Sequence, residues 1–483
     1  MDMAKKFYIT TAIDYVNAEP HIGHAYQKIV ADTLARWNKL LGVDVFFITG
    51  TDEHGKKVAE SAEKAEKKPK AFVDEISKKF KEAWKSLNIK YDRFIRTTDE
   101  DHKKVVEEFI KKCDKSGDIY KGEYEGYYCT GCEAYYTEKD AFDLVCPVHQ
   151  RPLEKLKEES YFFKLSKYQK YLLNLYKNHP EFILPKQRRN EVISKVKKEL
   201  KDFSITRTSF DWGIPFPLDN NHVIYVWFDA LINYYTATKQ QGKQKYWPAD
   251  LHVLGKDNTW FHTVYWPAML KSAGLKLPRT TFNHGFLSFN GKKISKSLGN
   301  AISVQQLVDK YGADTIRYFS LRQFPFASGE DGNFSEKSLI QRHNNELANK
   351  LGNLVSRVSA LAEKYGIEKS DMDFHCIKQT YAEVKRYMEN YELDKALNSI
   401  FAYIDNTNQF LQDKKPWETK DKRVLYEATN NIKATTILLF PFIPETSERI
   451  AKTFGFKISL DELEKPLKTI KIKKSPILFQ KIK

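Results

Sequence analysis

The sequence predicts an α/β protein built on a parallel sheet, interrupted by an inserted segment and followed by an all-helical region. Three observations carry this. Strand and helix patterns alternate over about the first 120 residues and resume near residue 222. Between them the alternation stops, and three of the five cysteines crowd together there. After Arg342, apolar residues recur at helical spacing almost to the end. With 483 residues there is room for about three domains, and 41% hydrophobic and 14% aromatic content excludes a disordered or fibrous chain.

Taken in order, Phe7 to Thr10 forms a short strand. Ala25, Ile29, Val30, Leu34, Trp37 and Leu41 mark a helix running from about Gly23 to Gly42, and Val43 to Ile48 is a strand ending in the polar loop Gly50 to Gly55. This βαβ order places a ligand crevice at the carboxyl ends of the strands. The insertion spans about 120–220 and contains the Lys/Arg-rich stretch 186–201. Strands return at His222–Phe228 and Leu251–Leu254, the latter leading through Gly255-Lys256-Asp257 into a helix with His262, Trp266 and Met269. Phe286 to Phe289 meets Asn290-Gly291, a tight-turn dipeptide, before the Lys/Ser loop Lys292–Asn300. Pro416, Pro441 and Pro444 break the helices that follow. The division expected is 1–119, 120–220, 221–290, 291–340 and 341–483.

The excess of 79 Lys+Arg over 63 Asp+Glu, a net +16, suits a polyanionic partner, and a lysine-solvated surface accounts for it equally well. The opening MDMAKKFYIT has no apolar stretch of the secretory kind, and the longest apolar run, Ile437 to Ile443, is far short of the ~20 residues that span a bilayer. A cytoplasmic protein without a membrane segment is expected. Cys129-x2-Cys132 and Cys146-x2-His149, thirteen residues apart, can close a tetrahedral thiolate–imidazole shell. Four protein ligands leave no open position, so one structural zinc per chain is expected. Cys113 and Cys376 are isolated.

His21-Ile22-Gly23-His24 sits where the first strand hands over to the first helix, where N–H groups favour phosphate. Such a pair by itself equally suits a helix cap or half a metal site. Lys293-Ile294-Ser295-Lys296-Ser297 offers two ammonium groups to charge developing on a phosphoryl group, although such loops by themselves are more often solvated surface.

HIGH followed by KISKS across a split α/β domain resembles the class I aminoacyl-tRNA synthetases. From about residue 5 to 450 the sequence is similar to the methionyl-tRNA synthetase family, through Tyr8 to Asn17, Thr49 to Gly55, Trp227 to Ala230, Gly255-Lys256-Asp257 with Phe261-His262, Asn353 to Arg357, and Lys415-Pro416-Trp417. The resemblance implies a Rossmann-type catalytic domain split by a zinc-bearing insertion, then a connecting segment and an α-helical bundle that binds the anticodon. It implies two-step ligation of L-methionine to tRNA(Met): adenylate formation from ATP with release of pyrophosphate, then transfer to the terminal ribose.

By the same resemblance His21, His24, Lys293 and Lys296 are catalytic and hold ATP together with Gly255 and Asp257, and Mg²⁺ accompanies the ATP. Ala12, Ile13, Tyr15, Trp227, Ala230, Leu231, Tyr234 and His262 line the methionine pocket, with Asp52 for the substrate ammonium. Asn353, Arg357, Pro416 and Trp417 read the anticodon, for which an exposed tryptophan at a helix break suits base stacking. Three positions depart from the family pattern: Asp14, usually apolar or aromatic; Leu231, often Pro; and Asn258, often Ile. Valine, isoleucine and leucine enzymes are disfavoured by the short insertion, a cysteine enzyme by a metal cluster lying wholly inside it, and a silent RNA-binding relative by the intact His and Lys pairs. No appended barrel is seen, so a monomer is expected. The lysines between 465 and 483 suit either an RNA backbone or solvent.

Overall fold

The protein is described from a computed structural model covering residues 5–129, 134–136, 142–146, 151–289, 292–293, 303–469 and 471–483. The chain begins with β1 (Lys6–Thr11) and β2 (Asp14–Tyr15), passes through helix α1 (Ile22–Leu40), and continues with β3 (Asp44–Asp52) and β4 (Arg93–Arg96). Next come β5 (Ile119–Cys129), β6 (Ala134–Tyr136), β7 (Glu154–Phe163), β8 (Ile183–Leu184), β9 (Phe203–Ser204), β10 (Thr206–Arg207) and β11 (Val223–Ile224). The last strands are β12 (Leu251–Gly255), β13 (Thr280–His284), β14 (Leu287–Phe289), β15 (Lys292–Lys293) and β16 (Gly332–Phe334).

The central sheet is parallel, ordered β2-β3-β1-β12-β13-β8 with β4 also paired to β3. Its strands are covered on both faces, which is why β3 reads as a nearly continuous apolar run. Alternate side chains enter different cores. Ile9, Phe47 and Val253 pack with α1 and the C-terminal helices, whereas Tyr8, Phe46 and Ile48 pack with the segment between β4 and β13. α1 begins at a capping box made by His21 and His24, and the chain leaves it through Gly42, whose φ of +75° is a conformation that favours glycine.

Two segments differ from the sequence reading. Only Val223–Ile224 of the stretch His222–Phe228 is strand, paired antiparallel with β10, and Val226–Leu231 is helix. An aromatic and β-branched run has strand propensity, but here burying Val226, Phe228 and Ala230 in the core decides the conformation. Ile183–Leu184, inside the stretch 120–220, is an edge strand of the central sheet paired with β13; two residues are too few to show a period. Within that stretch β6, β5, β7 and β9 form a separate antiparallel sheet. The C-terminal region packs helices Asn353–Tyr365, His375–Glu389, Leu393–Lys414, Lys422–Leu439 and Pro444–Phe454.

Candidate active site

The crevice lies at the carboxyl ends of β1, β3 and β12, where parallel strands end and backbone groups lose their ladder partners. At its floor, His21 is the N-cap of α1, its Nδ1 accepting the Gly23 N–H at 3.1 Å, while His24 Nδ1 accepts the His21 N–H at 3.3 Å. The rings stack with centroids 3.9 Å apart. An Nδ1 that accepts carries no proton, so each neutral ring bears its N–H on Nε2. Desolvation and the neighbouring His21 hold the His24 pKa well below the usual imidazole value, which keeps the ring neutral. The cap and the phosphate-facing readings of this pair are therefore compatible: one nitrogen caps and the other remains an N–H donor.

Lys293 ends β15, which pairs antiparallel with β14 (Ser288 opposite Lys293), and its side chain lies outside the described residues, as do all of Lys296 and the Asn290-Gly291 turn. The chain re-enters at Ser303, whose backbone bridges His21. The described residues on either side of 294–302 thus have known places, Lys293 beside β14 and Ser303 beside the first histidine of HIGH. Gly255 ends β12, and a Cβ there would sit 2.7 Å from Asp257 Oδ1, so the turn into Asp257 closes around a position without a side chain.

The residues expected to select the amino acid come from five separate segments. Ala12 is buried and donates its N–H to Val253 O at 3.2 Å, and Ile13 packs against the core that includes Leu231 and Tyr234. Tyr15 sits in register opposite Asp52, whose carbonyl accepts from Val16 N at 3.1 Å. Trp227 stacks on Phe261, centroids 3.6 Å apart and planes 2° apart, on the helix that also carries buried Ala230 and Leu231. Tyr234 donates its hydroxyl to His262 Nε2 at 2.7 Å, because His262 Nδ1 gives its proton to Asn258 O at 2.9 Å. Burial drops the His262 pKa to about 4, consistent with a neutral ring having one donor and one acceptor nitrogen. Tyr234 O in turn accepts from Tyr8 Oη at 2.7 Å. The structure thus brings Ala12, Ile13, Trp227, Leu231, Tyr234 and His262 to the strand ends, with Asp52 in register beside Tyr15.

Sequence reading missed the supports behind these residues. Asp229 binds His54 Nδ1 and His102 Nε2, each at 2.7 Å, and His102 Nδ1 meets Thr236 Oγ1 at 3.0 Å. Burial by itself would raise the Asp229 carboxyl, but the two imidazoles carry it below the ordinary carboxylate range. Glu53 takes Arg96 through two contacts, 2.7 and 2.8 Å, and also accepts from Thr98. His54 and Asp229 lie in stretches the sequence singled out, but their pairing across 175 positions has no local signature.

Cys129 and Cys146 are both buried, and Cys146 N donates to Arg151 O at 2.8 Å. Cys132 and His149 lie outside the described residues. Far from the crevice, Arg357 lies 5.5 Å over the Trp417 ring, and its Nη2 donates to Asn408 Oδ1 at 3.3 Å. Asn353 is exposed on the same helix as Arg357, Pro416 is buried, and Trp417 is half-buried rather than fully exposed, because it packs on the helical core. Asn408, two turns before the helix ends, had no signal in the sequence.

The chain matches the family described as "tRNA synthetases class I (M)" over residues 7–155 and 140–359, and "Anticodon-binding domain of tRNA ligase" over 374–481. It is 46% identical to a methionine–tRNA ligase of Thermotoga maritima, covering 96% of this chain and 76% of that protein. It is 43% identical to one of Nostoc, covering 95% and 91%. A solved structure, Mycobacterium tuberculosis methionyl-tRNA synthetase in complex with methionyl-adenylate, superposes with a TM-score of 0.93 at 37% identity, covering 98% of this chain and 99% of that one.

Proposed function

Since this chain belongs to the methionyl-tRNA synthetase family of class I, we propose how its own residues divide the work of joining L-methionine to tRNA. The reaction is ATP-dependent formation of methionyl-adenylate with loss of pyrophosphate, followed by transfer of the aminoacyl group to the 3′-terminal ribose of tRNA(Met). In the first step the methionine carboxylate attacks the α-phosphate, and charge builds on that phosphate and on the departing pyrophosphate. The Nε2–H groups of His21 and His24 meet the nucleotide phosphates. Lys293 and Lys296 of the KISKS motif add positive charge, and Gly255 and Asp257 form the side where the nucleotide lies. Asp52 holds the substrate ammonium. Trp227, Tyr15, Ile13, Ala12, Ala230 and Leu231 enclose the thioether, and the neutral Tyr234–His262 pair closes the pocket without presenting a charge to it.

The observation that carries the reading is the bridge from His21 to Ser303: it draws the return of the KISKS loop onto the residue that caps the phosphate-facing helix. Mg²⁺ bound to the β and γ oxygens would supply further neutralisation when ATP is present. Two buried cysteines fit a zinc shell with Cys132 and His149, and the ion would tie the loop ends together as a structural centre. Metal analysis of protein purified without chelators should find about one zinc per chain; finding none removes that part. Asn353, Arg357, Pro416 and Trp417 receive the anticodon. The protein acts as a cytoplasmic monomer. The deciding experiment is ATP–pyrophosphate exchange against every standard amino acid. Exchange with methionine alone is expected, and a preference for cysteine, valine, isoleucine or leucine refutes the assignment.

A further inference from the structure

Lys28 is a lysine with no exposed surface, one turn beyond His24 on α1. Burying an ammonium is costly unless every proton is used, and here all three are. Its Nζ reaches Asp14 Oδ1 at 2.5 Å, Gln27 Oε1 at 3.0 Å and the carbonyl of Ala12 at 3.3 Å, with the Trp84 ring 5.4 Å away. Two of these three partners, Ala12 and Asp14, belong to the short segment from the end of β1 through β2, whose neighbours Ile13 and Tyr15 are proposed to line the pocket. Asp14 is one of the departures from the family pattern. Asp14 is buried and pairs with Thr51 near the end of β3, and its Oδ2 has no hydrogen-bond partner among the described residues, so Lys28 is its charged partner.

We propose that Lys28 and Asp14 form a buried clamp that positions the methionine-binding segment Ala12–Tyr15 against the helix carrying His24, so that affinity for methionine depends on the ionised pair. Both are positioning residues. The clamp rests on the activity proposed above and deepens it, by naming what holds one wall of the pocket in place. It joins the two halves of the crevice, since one residue reaches both the amino-acid side and the helix of the phosphate side.

Its pH behaviour follows from the surroundings. The titratable groups beside the pair are Tyr234 next to Asp14, and His24 on α1 and His284 at the end of β13 next to Lys28, with Asp52 on β3 as a second anion acting on Tyr234. Burial keeps Tyr234 protonated, holds His24 well below the usual imidazole value and drops His284 to about 4. Burial raises the Asp14 carboxyl to about 6, the opposing pull of Lys28 being the smaller influence. Above that value the clamp is charged and closed; below it Asp14 is neutral and Lys28 loses its anion.

The test measures KM for methionine and kcat in pyrophosphate exchange from pH 5 to 8, with the thermal midpoint recorded for each protein. For the wild type, KM for methionine should rise as pH falls through about 6, with kcat changing less. Asp14→Asn, nearly isosteric, should raise KM at pH 7.5 about tenfold, change kcat less than about threefold and flatten the pH dependence of KM. Lys28→Met should raise KM similarly and likewise flatten its pH dependence, because no ionised pair is left to form. If Lys28→Met fails to fold, Asp14→Asn decides alone. An Asp14→Asn enzyme with wild-type KM and wild-type pH dependence, whatever its thermal midpoint, overturns the clamp. Absence of methionine-dependent exchange in the wild type would instead overturn the activity on which it rests.

Discussion

At the scale of single residues, the crevice is governed by imidazoles kept neutral. His262 and His284 are both depressed to about 4 by burial, and His24 and His252 lie well below the ordinary value for the same reason. In the unfolded chain each would titrate near 6.5, so between about 4 and 6.5 the unfolded state binds more protons than the folded one. Stability is therefore fully present above that window and is lost as pH falls through it, by at most about 3 kcal/mol for each of His262 and His284. Asp14, raised to about 6, acts in the opposite direction, but it is one group against several. Thermal midpoints recorded between pH 7.5 and 4.5 should fall, and His262→Gln should make the fall shallower; equal slopes for the two proteins would contradict this origin. The histidines of HIGH were visible in the sequence as a pair. Which nitrogen caps and which donates was not, because that depends on the backbone conformation at His21.

At the scale of elements, the Arg357 and Trp417 proposed above for the anticodon, with Asn408 beside Arg357, depend on two helices meeting. Arg357 on one helix is held over Trp417 by Asn408 on another, and Lys415 in the left-handed region turns the chain so that Pro416 can begin the next short helix. Half-buried Trp417 has one face packed on the core and part of its surface open to stack on an RNA base. Trp417→Ala should weaken tRNA charging by about 1–3 kcal/mol while leaving pyrophosphate exchange intact. Charging and exchange measured side by side check this, and equal damage to both would place Trp417 in a structural role. The neighbouring Asn353 and Arg357 were legible from their spacing of four, which shares a helix face. Asn408 was illegible: an asparagine inside a helix shows no sign of the side chain it will steady.

For the whole molecule, one arginine ties the sheet region to the C-terminal helices. Arg317, with no exposed surface, pairs with Asp32 of α1 at 2.7 Å and donates to the carbonyls of Phe442 at 3.0 Å and Pro441 at 2.9 Å. Asp32 is shared with Arg36, also at 2.7 Å. A helix near the crevice is thereby fixed to the turn that precedes helix Pro444–Phe454. Removing one partner of a buried pair leaves the other charge uncompensated, so Arg317→Met should cost about 3–5 kcal/mol. Denaturant titration reads the loss directly, and a change below about 1 kcal/mol would show the pair to be dispensable. The C-terminal lysines have a further context here: the tail returns to the fold, with His343 Nε2 at 2.7 Å from Gln480 O and Ile482 N donating to Asn344 at 2.9 Å.

The α/β class, the helix behind HIGH, the βαβ order, the insertion and the later helical region were legible in the amino-acid sequence because each rests on a local period or a short motif, repeated over enough residues to be read. What tertiary structure alone decided involves partners distant along the chain: the edge strand Ile183–Leu184, the helix at Val226–Leu231, the His54–Asp229–His102 support, the return of the loop onto His21 and the clamp of Lys28 on Asp14. Local pattern records which face of an element is apolar. It does not record which other face will be pressed against it, and a buried charge is stabilised by that partner rather than by its own neighbours in sequence.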